Sequence, residues 1–418
     1  MKSYLKTTAG FVLSATMATA SYGATVNIGE LQGFTGPIES MAPAMSSGAN
    51  LAVTEVNASG KYLYGTIALI VGDSTCIDAA VAVAEAERMV NDENVIAIMG
   101  PSCSGTTESV ALNVSLPNGV VNISPSATSP ALTAIKDDGW MFRTAGSDSR
   151  QAAALVAASL RRGITDMAVT HTNSDYGVGL AESFATQYVA AGGTISIMAA
   201  HEDDKADYSA DVAALSAGGS TTLAVFGYAD SGGKGILTAS EDTGAFTDYV
   251  FADGMMSATT SGAVPDGSWG TKPAPSADLL AGWLAAATAA DFDGSGVFSA
   301  EAYDAMALII LASQASGGTD RAALKAQVMN VANAPGTACN VGELGDCLKM
   351  ISGGMPVDYV GATGVEFTDV GEAKGSYSEE EIIGGAFTSV GMPSLVISSI
   401  NITKARLRRA FFLLFLSI

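Results

Sequence analysis

The fold is decided by the stretch Val95-Ile96-Ala97-Ile98-Met99-Gly100-Pro101-Ser102-Cys103-Ser104-Gly105-Thr106-Thr107. Its apolar beginning is typical of a buried strand, and Gly100 and Pro101 end that strand in a loop. A helical pattern from Thr106 to Val114 follows, and then a second strand-like run, Val120 to Ile123. Strand, loop, helix and strand in this order predict a βαβ unit with two parallel strands in one sheet.

The same alternation extends upstream to Thr25 and restarts downstream at Met167. Strand-like runs begin again at Thr194, Leu223 and Tyr249, and helical patterns lie between them. A Gly/Pro/Ser-rich stretch, residues 261–276, precedes further Ala-rich helices, and residues 358–389 are expected to form irregular strands. The sequence therefore predicts two α/β lobes, to which the later segments return.

The composition argues against several classes of protein. The 418 residues carry 20 Lys+Arg against 42 Asp+Glu, a net charge of −22, whereas nucleic-acid binding needs clustered cations. The two histidines, His171 and His201, provide little material for a multi-His metal site or a catalytic triad. No Gly-x-Ser-x-Gly elbow accompanies them. We therefore expect no nucleic-acid partner, no metal, no cofactor and no enzymatic activity.

The N-terminus has the features of a secretory signal. Lys2 and Lys6 precede an apolar run over residues 9–20, and small residues at 18–20 and 21–23 suit signal peptidase. The sequence therefore predicts a signal peptide over residues 1–23 and a periplasmic location.

The four cysteines then belong to an oxidising compartment. Cys76 and Cys103 flank one helix and strand, and Cys339 and Cys347 lie close together in a Gly-rich segment. Two disulfides are expected, with the local pairing the simplest of the three possible. A zinc site is the alternative, but no Cys-x-x-Cys spacing supports it.

Small polar residues follow most of the predicted strands. Ligands of open α/β sheets bind beyond the carboxyl ends of the strands. The segments at these ends are 33–41, 100–107, 124–129, 172–177, 227–230 and 253–255, most of which contain Gly, Ser, Thr or Asp. Their backbone amides and hydroxyl groups suit a small polar ligand.

At these segments the chain resembles the leucine/isoleucine/valine-binding proteins of ABC importers. The resemblance is carried, in order, by Gly100–Thr107, Ile123–Pro130 with Leu132 and Thr133, Phe142–Asp148, Tyr176–Ala181 and Ala252–Gly254. It implies an α/β fold of two Rossmann-like lobes with parallel-type sheets, joined by three hinge crossovers (a type I periplasmic binding protein). The implied lobes are 24–143 with 274–362, and 144–273 with 363–395. Residues 396–418 form an atypical basic and then apolar tail. The resemblance also strengthens the pairing of Cys76 with Cys103, and Cys339 and Cys347 resemble a second pair of some members.

The resemblance assigns the ligand's α-carboxylate to two loops. Ser104 lies in the first, and the run Ser126-Ala127-Thr128 lies in the second. Hydroxyl groups and backbone N–H groups at helix starts stabilise an anion without an arginine. Ser126 and Thr128 also suit the role of helix caps, and the two roles are compatible.

The opposite end of the ligand is assigned to the second lobe. Asp253 matches the acidic residue that pairs with the α-ammonium group, although an Asp before Gly254 also suits a turn. Tyr176 matches a tyrosine of the cleft, and Phe298 matches an aromatic ring over the ligand side chain. The alternatives are a surface position for Tyr176 and a core position for Phe298.

Three further positions bear on the identity of the ligand. A second cleft tyrosine of the family is replaced by Ala229, for which Tyr228 or Asp230 substitutes. Glu39 suits a polar or cationic ligand side chain, or simply a solvated helix start, and Met41 suits an aliphatic one.

We therefore expect a monomeric binding protein that delivers a branched-chain or related polar or aliphatic amino acid to an ABC permease. The alternatives are the same fold with an amide, a urea or an aromatic acid as ligand, and a ligand-sensing receptor domain.

Overall fold

The structure is a computed structural model that describes residues 24–392. The predicted signal peptide and the C-terminal tail therefore lie outside the described residues. No helix within the described range is long and apolar enough to cross a membrane.

The first lobe is built on a five-stranded parallel sheet. Its strands are β1 (Thr25–Gln32), β2 (Thr66–Asp73), β3 (Ala97–Met99), β4 (Val121–Ser124) and β5 (Met141–Arg143). They lie in the order β2-β1-β3-β4-β5, and every pairing is parallel. The connecting helices are α1 (Ala42–Ser59), α2 (Ala79–Asn91), α3 (Ser104–Val110) and α4 (Leu116–Asn118). A short π-helix (Ala111–Ser115) joins the last two.

Local sequence signals mark the helix ends of this lobe. The Asp78 side chain accepts hydrogen bonds from the N–H groups of Ala80 and Val81 and so begins α2. Gly60, at φ 61°, ends α1 in the left-handed region that glycine tolerates.

The second lobe begins with a helix that the sequence did not predict, α5 (Asp148–Arg161). The strands β6 (Asp166–Thr172), β7 (Thr194–His201), β8 (Thr222–Phe226), β9 (Asp248–Phe251) and β10 (Trp269–Pro273) follow. Between them lie α6 (Asp175–Ala190), α7 (Ser209–Ser216), α8 (Gly232–Thr243) and α9 (Ala258–Ser261). The β10 strand falls within the Gly/Pro/Ser-rich stretch, where no strand was expected.

The chain then returns to the first lobe. The returning elements are α10 (Ala277–Ala289), α11 (Ser299–Ser316), α12 (Arg321–Ala332), β11 (Thr337–Asn340), α13 (Leu344–Ser352) and β12 (Val357–Gly361). Helix α11 packs against α1 and lies over β3 and β4. It is buried from Ser299 to Gln314, as expected for a helix at the centre of a lobe.

The last two strands complete the second sheet. They are β13 (Tyr377–Ile383) and β14 (Ala386–Gly391), and the sheet order is β14-β13-β10-β9-β8-β6-β7. The pairings of β13 with β10 and β14 are antiparallel, and the others are parallel. The chain thus crosses between the lobes after β5, after β10 and before β13, which are the three crossovers of the predicted fold class.

Contacts of residues 363–375 with the first lobe bear on the boundary before the last crossover. Phe367 stacks on Phe142 of the first lobe, with 5.7 Å between ring centroids. Glu372 forms a 2.5 Å ion pair with Arg143. We therefore propose that the last segment of the second lobe begins near residue 376 rather than at 363.

Candidate ligand-binding cleft

A cleft lies between the two lobes, beyond the carboxyl ends of several strands. The first lobe lines it with Ile38, Met41, Met45, Ser102, Cys103, Ser104, Ser126 and Phe298, and the second with Tyr176, Tyr228, Asp253 and Gly254. The cavity between them has a volume of about 20 Å³, so the lining side chains of the two lobes lie close together.

The lobes approach each other closely around this cleft. The backbone N–H of Ser40 donates to Asp230 Oδ2 across the mouth at 2.9 Å. A methyl group on Gly105 of the first lobe would lie 2.8 Å from Asp175 Oδ2 of the second. The structure therefore presents the two lobes in a closed arrangement.

One end of the cleft is lined by hydroxyl groups. Ser104, the first residue of α3, accepts a 3.1 Å hydrogen bond from the Ser129 N–H through its Oγ. The Ser126 hydroxyl donates to the Ser102 carbonyl at 2.9 Å. Ser102, Ser104 and Ser126 thus form a neutral, polar end of the cleft.

Two residues of the predicted carboxylate-binding run lie behind this surface. Ala127 and Thr128 are buried and do not line the cleft. The Ala127 N–H donates to Ser124 Oγ at 3.0 Å, so it is already engaged within the loop. Of the run 126–128, the structure brings only Ser126 to the cleft.

The other end of the cleft is acidic. Asp253 begins a single 3₁₀ turn (Asp253–Met255) directly after β9, and its Oδ1 accepts a 3.1 Å hydrogen bond from the Tyr176 hydroxyl. Burial raises the pKa of Asp253 to about 6, against the hydrogen bond from Tyr176. Within residues 24–392, the residues that line the cleft include no Lys or Arg and therefore supply no cation to balance this carboxylate.

Two tyrosines form the wall beside Asp253. The rings of Tyr176 and Tyr228 stack with 5.3 Å between their centroids. The Gly254 N–H donates to the Tyr176 hydroxyl at 3.2 Å. A Cβ at Gly254 would lie 2.4 Å from the Gly227 carbonyl, so glycine permits this close approach. Ala229 is buried, and its N–H donates to the Gly254 carbonyl, while Asp230 reaches the mouth instead.

The remaining wall is apolar. Ile38, Met41 and Met45 come from the first loop and the start of α1, and Phe298 precedes α11. Phe298 has φ 61°, a left-handed conformation that is costly for a bulky residue and is typical of functional positions. Ile38 and Met45 were missed from the sequence, although Met45 lies one helical turn from Met41.

Glu39 is exposed and is not among the residues that line the cleft, in keeping with the alternative of a solvated helix start. In the turn before α1, the Glu39 N–H bonds the Gly36 carbonyl and the Met41 N–H bonds the Ile38 carbonyl. This turn directs Ile38 and Met41 inward and leaves Glu39 exposed.

A second carboxylate that sequence reasoning missed lies near Asp253. Asp148 is the first residue of α5 and is completely buried. Burial, and then the charge of Asp253, raise the pKa of Asp148 well above its ordinary value. The sequence around Asp148 is typical of a helix start, and no motif in it predicts a position near Asp253.

Two disulfides lie in the first lobe, and the second joins β11 to α13. Cys76 bonds Cys103, beside Ser104, and Cys339 bonds Cys347. The first is the pairing that the family resemblance implies. It ties the loop after β2 to the start of α3 and thereby limits the movement of the hydroxyl end of the cleft.

Residues 25–338 match the family model described as "Periplasmic binding protein". The leucine-, isoleucine-, valine-, threonine- and alanine-binding protein of Pseudomonas aeruginosa is 26% identical over 325 residues, which cover 74% of this chain and 84% of that protein.

Solved structures share the fold. A branched-chain amino acid transporter substrate-binding protein of Streptococcus pneumoniae, in complex with isoleucine, matches with TM-score 0.72 and 22% identity, over 88% of this chain and 99% of the other. A solute-binding protein of an ABC transporter from R. palustris, in complex with benzoate, matches with TM-score 0.71 and 15% identity, over 88% and 96%. The same fold thus binds both an amino acid and an aromatic acid in other proteins.

Proposed function

Because this chain belongs to the periplasmic binding protein family, whose members bind substrates and are not enzymes, we propose that it captures a small amino acid as a zwitterion. The observation that carries this proposal is the burial of the Asp253 carboxylate. It is buried at one end of the cleft, and in the part of the chain that the structure describes no Lys or Arg side chain lines the cleft to balance it. A buried carboxylate is costly without a cationic partner, and a ligand ammonium group supplies one.

The α-carboxylate of the ligand is assigned to the opposite end. Ser104 and Ser126 contribute hydroxyl groups there, and N–H groups at the start of α3 add partial positive charge. Thr128 is buried behind this surface. The charges of a zwitterion therefore match the two ends of the cleft.

The ligand side chain is assigned to the apolar wall. Met41, Met45 and Phe298 surround it, and Glu39 does not reach it. An aliphatic side chain loses about 25 cal/mol of unfavourable hydration per Å² buried on such a surface. A branched-chain or similar aliphatic amino acid fits this wall better than a cationic one, in keeping with the ligands in the relatives' names.

We place the protein in the periplasm, where closure of the lobes traps the ligand and the closed form docks on an ABC permease. Contacts between residues at the mouth then stabilise the closed form, as in other binding proteins that close at a hinge. We propose that the protein acts as a monomer.

A thermal-shift screen of the purified chain tests the proposal. We expect a branched-chain amino acid to raise the melting temperature by several degrees, because a ligand at a hundredfold its Kd stabilises by about 2.7 kcal/mol. Amides, urea, benzoate and a cationic amino acid form the comparison set. A shift with benzoate, and none with any amino acid, would replace this function with aromatic-acid capture.

A further inference from the structure

The guanidinium group of Arg143 binds the backbone of the loop 126–129, which brings Ser126 to the cleft. Arg143 ends β5 and is 1% exposed. Its Nη1 donates to the carbonyl oxygen of Ala127 at 3.2 Å and to that of Ser129 at 2.9 Å. Hydrogen bonds from a charged donor are stronger than those from a neutral one. Arg143 therefore fixes the path of this loop, although it does not line the cleft itself.

A third carbonyl of this loop is bonded in the same way. The Thr128 carbonyl accepts from the Asp148 N–H at 2.9 Å, so the first crossover holds three successive carbonyl groups. The Ser129 N–H donates to Oγ of Ser104, and the Ser126 side chain lines the cleft. Carbonyl oxygens carry partial negative charge and repel an anion, whereas N–H groups attract one. Carbonyl groups that are bonded to the crossover are not free to turn towards the ligand's carboxylate.

The other terminal nitrogen of Arg143 joins the loop to the last crossover. Nη2 donates to Glu372 Oε2 at 2.5 Å and to Thr133 Oγ1 at 3.0 Å. Thr133 donates in turn to the same Glu372 oxygen at 2.9 Å. The backbone of Arg143 is also bonded to the carbonyl of Gly371 and the N–H of Ala373. Arg143 therefore connects the loop of the cleft to the segment through which the chain enters the second lobe.

The planar fork of an arginine suits these contacts. Within residues 24–392 the Nε of Arg143 has no hydrogen-bond partner, so the two terminal nitrogens make all the bonds of the side chain. One nitrogen serves the loop, and the other serves Glu372 and Thr133. A lysine presents all its donors from one atom, so it serves one set of partners or the other.

We propose that Arg143 is a positioning residue for the ligand's carboxylate. Through the loop 126–129 it holds Ser126 and Ser104 in the arrangement that binds the carboxylate. Glu372 balances its charge and anchors it to the last crossover. Arg143 does not contact the ligand. This inference rests on the proposed function, since it requires a ligand carboxylate at the hydroxyl end of the cleft.

Calorimetric titration with leucine tests the role of the fork. We expect Arg143→Gln to bind leucine about tenfold more weakly than the unaltered protein, because the charged hydrogen bonds to the loop are lost. Arg143→Lys should still bind about fivefold more weakly, since it keeps the charge but not the fork. Full recovery of affinity in Arg143→Lys would show that the charge alone matters and would overturn the positioning role.

Arg321→Gln is the matched control. Arg321 also donates to backbone carbonyls of the first lobe, those of Val90 and Val95. Val95 precedes the amino end of β3, whereas the cleft lies beyond the carboxyl ends of the strands. Arg321→Gln should lower the melting temperature and leave the affinity for leucine unchanged. Equal losses of affinity in Arg321→Gln and Arg143→Gln would indicate a general loosening of the lobe and would overturn the inference.

A double-mutant cycle with Ser126→Ala separates positioning from an independent effect. If Arg143 acts through Ser126, the loss of affinity in the double variant should be smaller than the product of the two single losses. Residues that act independently give the full product. A full product would therefore overturn the inference, even if Arg143→Gln alone weakens binding.

Glu372→Gln decides the question if Arg143→Gln does not fold. The Glu372 side chain is 17% exposed, and the variant keeps an acceptor for Arg143 while losing the charge. We expect leucine to bind about threefold more weakly, again with less than the full product when Ser126→Ala is added. Unchanged affinity, or the full product, would overturn the inference.

The unaltered protein separates this inference from the proposed function. If it binds leucine and Arg143→Gln binds leucine equally well, the positioning role alone fails. If no amino acid gives heat or thermal stabilisation with the unaltered protein, the proposed function fails, and the role of Arg143 fails with it.

Discussion

The backbone N–H of Ser40 donates a 2.9 Å hydrogen bond to Asp230 Oδ2, and this bond joins the two lobes at the mouth of the cleft. Ser40 precedes α1 in the first lobe, and Asp230 follows β8 in the second. Neither residue lines the cleft. The bond therefore contributes to the closed state without contacting the ligand.

Removal of this bond should speed ligand release. We expect Asp230→Ala to weaken binding about fivefold, because a typical hydrogen bond contributes about 1 kcal/mol, and to do so through the dissociation rate. Stopped-flow release of leucine measures it. Asp242→Ala removes an exposed acid from the end of α8 and serves as the control. If both variants release leucine at the rate of the unaltered protein, Asp230 has no part in closure.

Asp253→Asn should separate binding from stability. Affinity for leucine should fall by about 30-fold or more, because truncation of a buried charge partner costs about 2–5 kcal/mol. The empty protein should melt at the same or a higher temperature, because the substitution removes a buried carboxylate that burial disfavours. Calorimetry and thermal melts measure the two quantities. Unchanged affinity would remove Asp253 from the amine site.

Binding should weaken in acid. The pKa of Asp253 is raised to about 6, so below this pH a proton competes with the ligand's ammonium group. We expect affinity at about pH 5 to be roughly tenfold lower than at about pH 7. A calorimetric series across this range measures the effect, and a flat profile between these values would contradict it.

The empty protein should show the opposite trend. A carboxyl group whose pKa is raised by folding stabilises the folded protein fully below about pH 4, the ordinary pKa of an Asp side chain. This stabilisation is lost as the pH rises through about 6, the pKa of Asp253 in the folded protein. This contribution should therefore increase the free energy of unfolding as the pH falls from about 7 to 5. Denaturant melts of the empty protein measure it, and Asp253→Asn should reduce the trend.

The apolar wall should select for ligand size. Met45→Ala opens space beside Met41, and we expect it to weaken leucine binding by about 1–3 kcal/mol, with a smaller effect on alanine. Glu39→Gln changes an exposed residue of the same segment and should leave both affinities unchanged. Competition titrations with leucine, alanine and lysine measure the preference. A changed preference in Glu39→Gln would restore the role first considered for it.

Much of the fold is visible in the sequence because βαβ units are local. The first sheet uses strands that alternate with helices over short distances, and β1 to β4 have clear apolar runs. Strand β5 has only three residues and was not predicted. Strand β10 escaped detection for the opposite reason. It contains Gly270 and Pro273, and its antiparallel partner, β13, lies about a hundred residues later.

The site was predicted less completely than the fold. Ser104, Ser126, Tyr176 and Asp253 follow strands, and the rule for open sheets brings such positions together. The placement of Thr128 behind the surface depends on which way one loop turns, and the exposure of Glu39 depends on a turn of four residues. Asp148 is placed near Asp253 only by the packing of one lobe, which no local pattern records.

The most direct test of zwitterion capture compares leucine with 4-methylpentanoate, which lacks only the amino group. Calorimetric titration of the purified chain at about pH 7 measures both affinities. We predict that leucine binds at least about a hundredfold more tightly, because the acid leaves Asp253 buried and unpaired. Equal affinities would contradict the assignment of Asp253 to the ammonium group and the capture of an amino acid as a zwitterion.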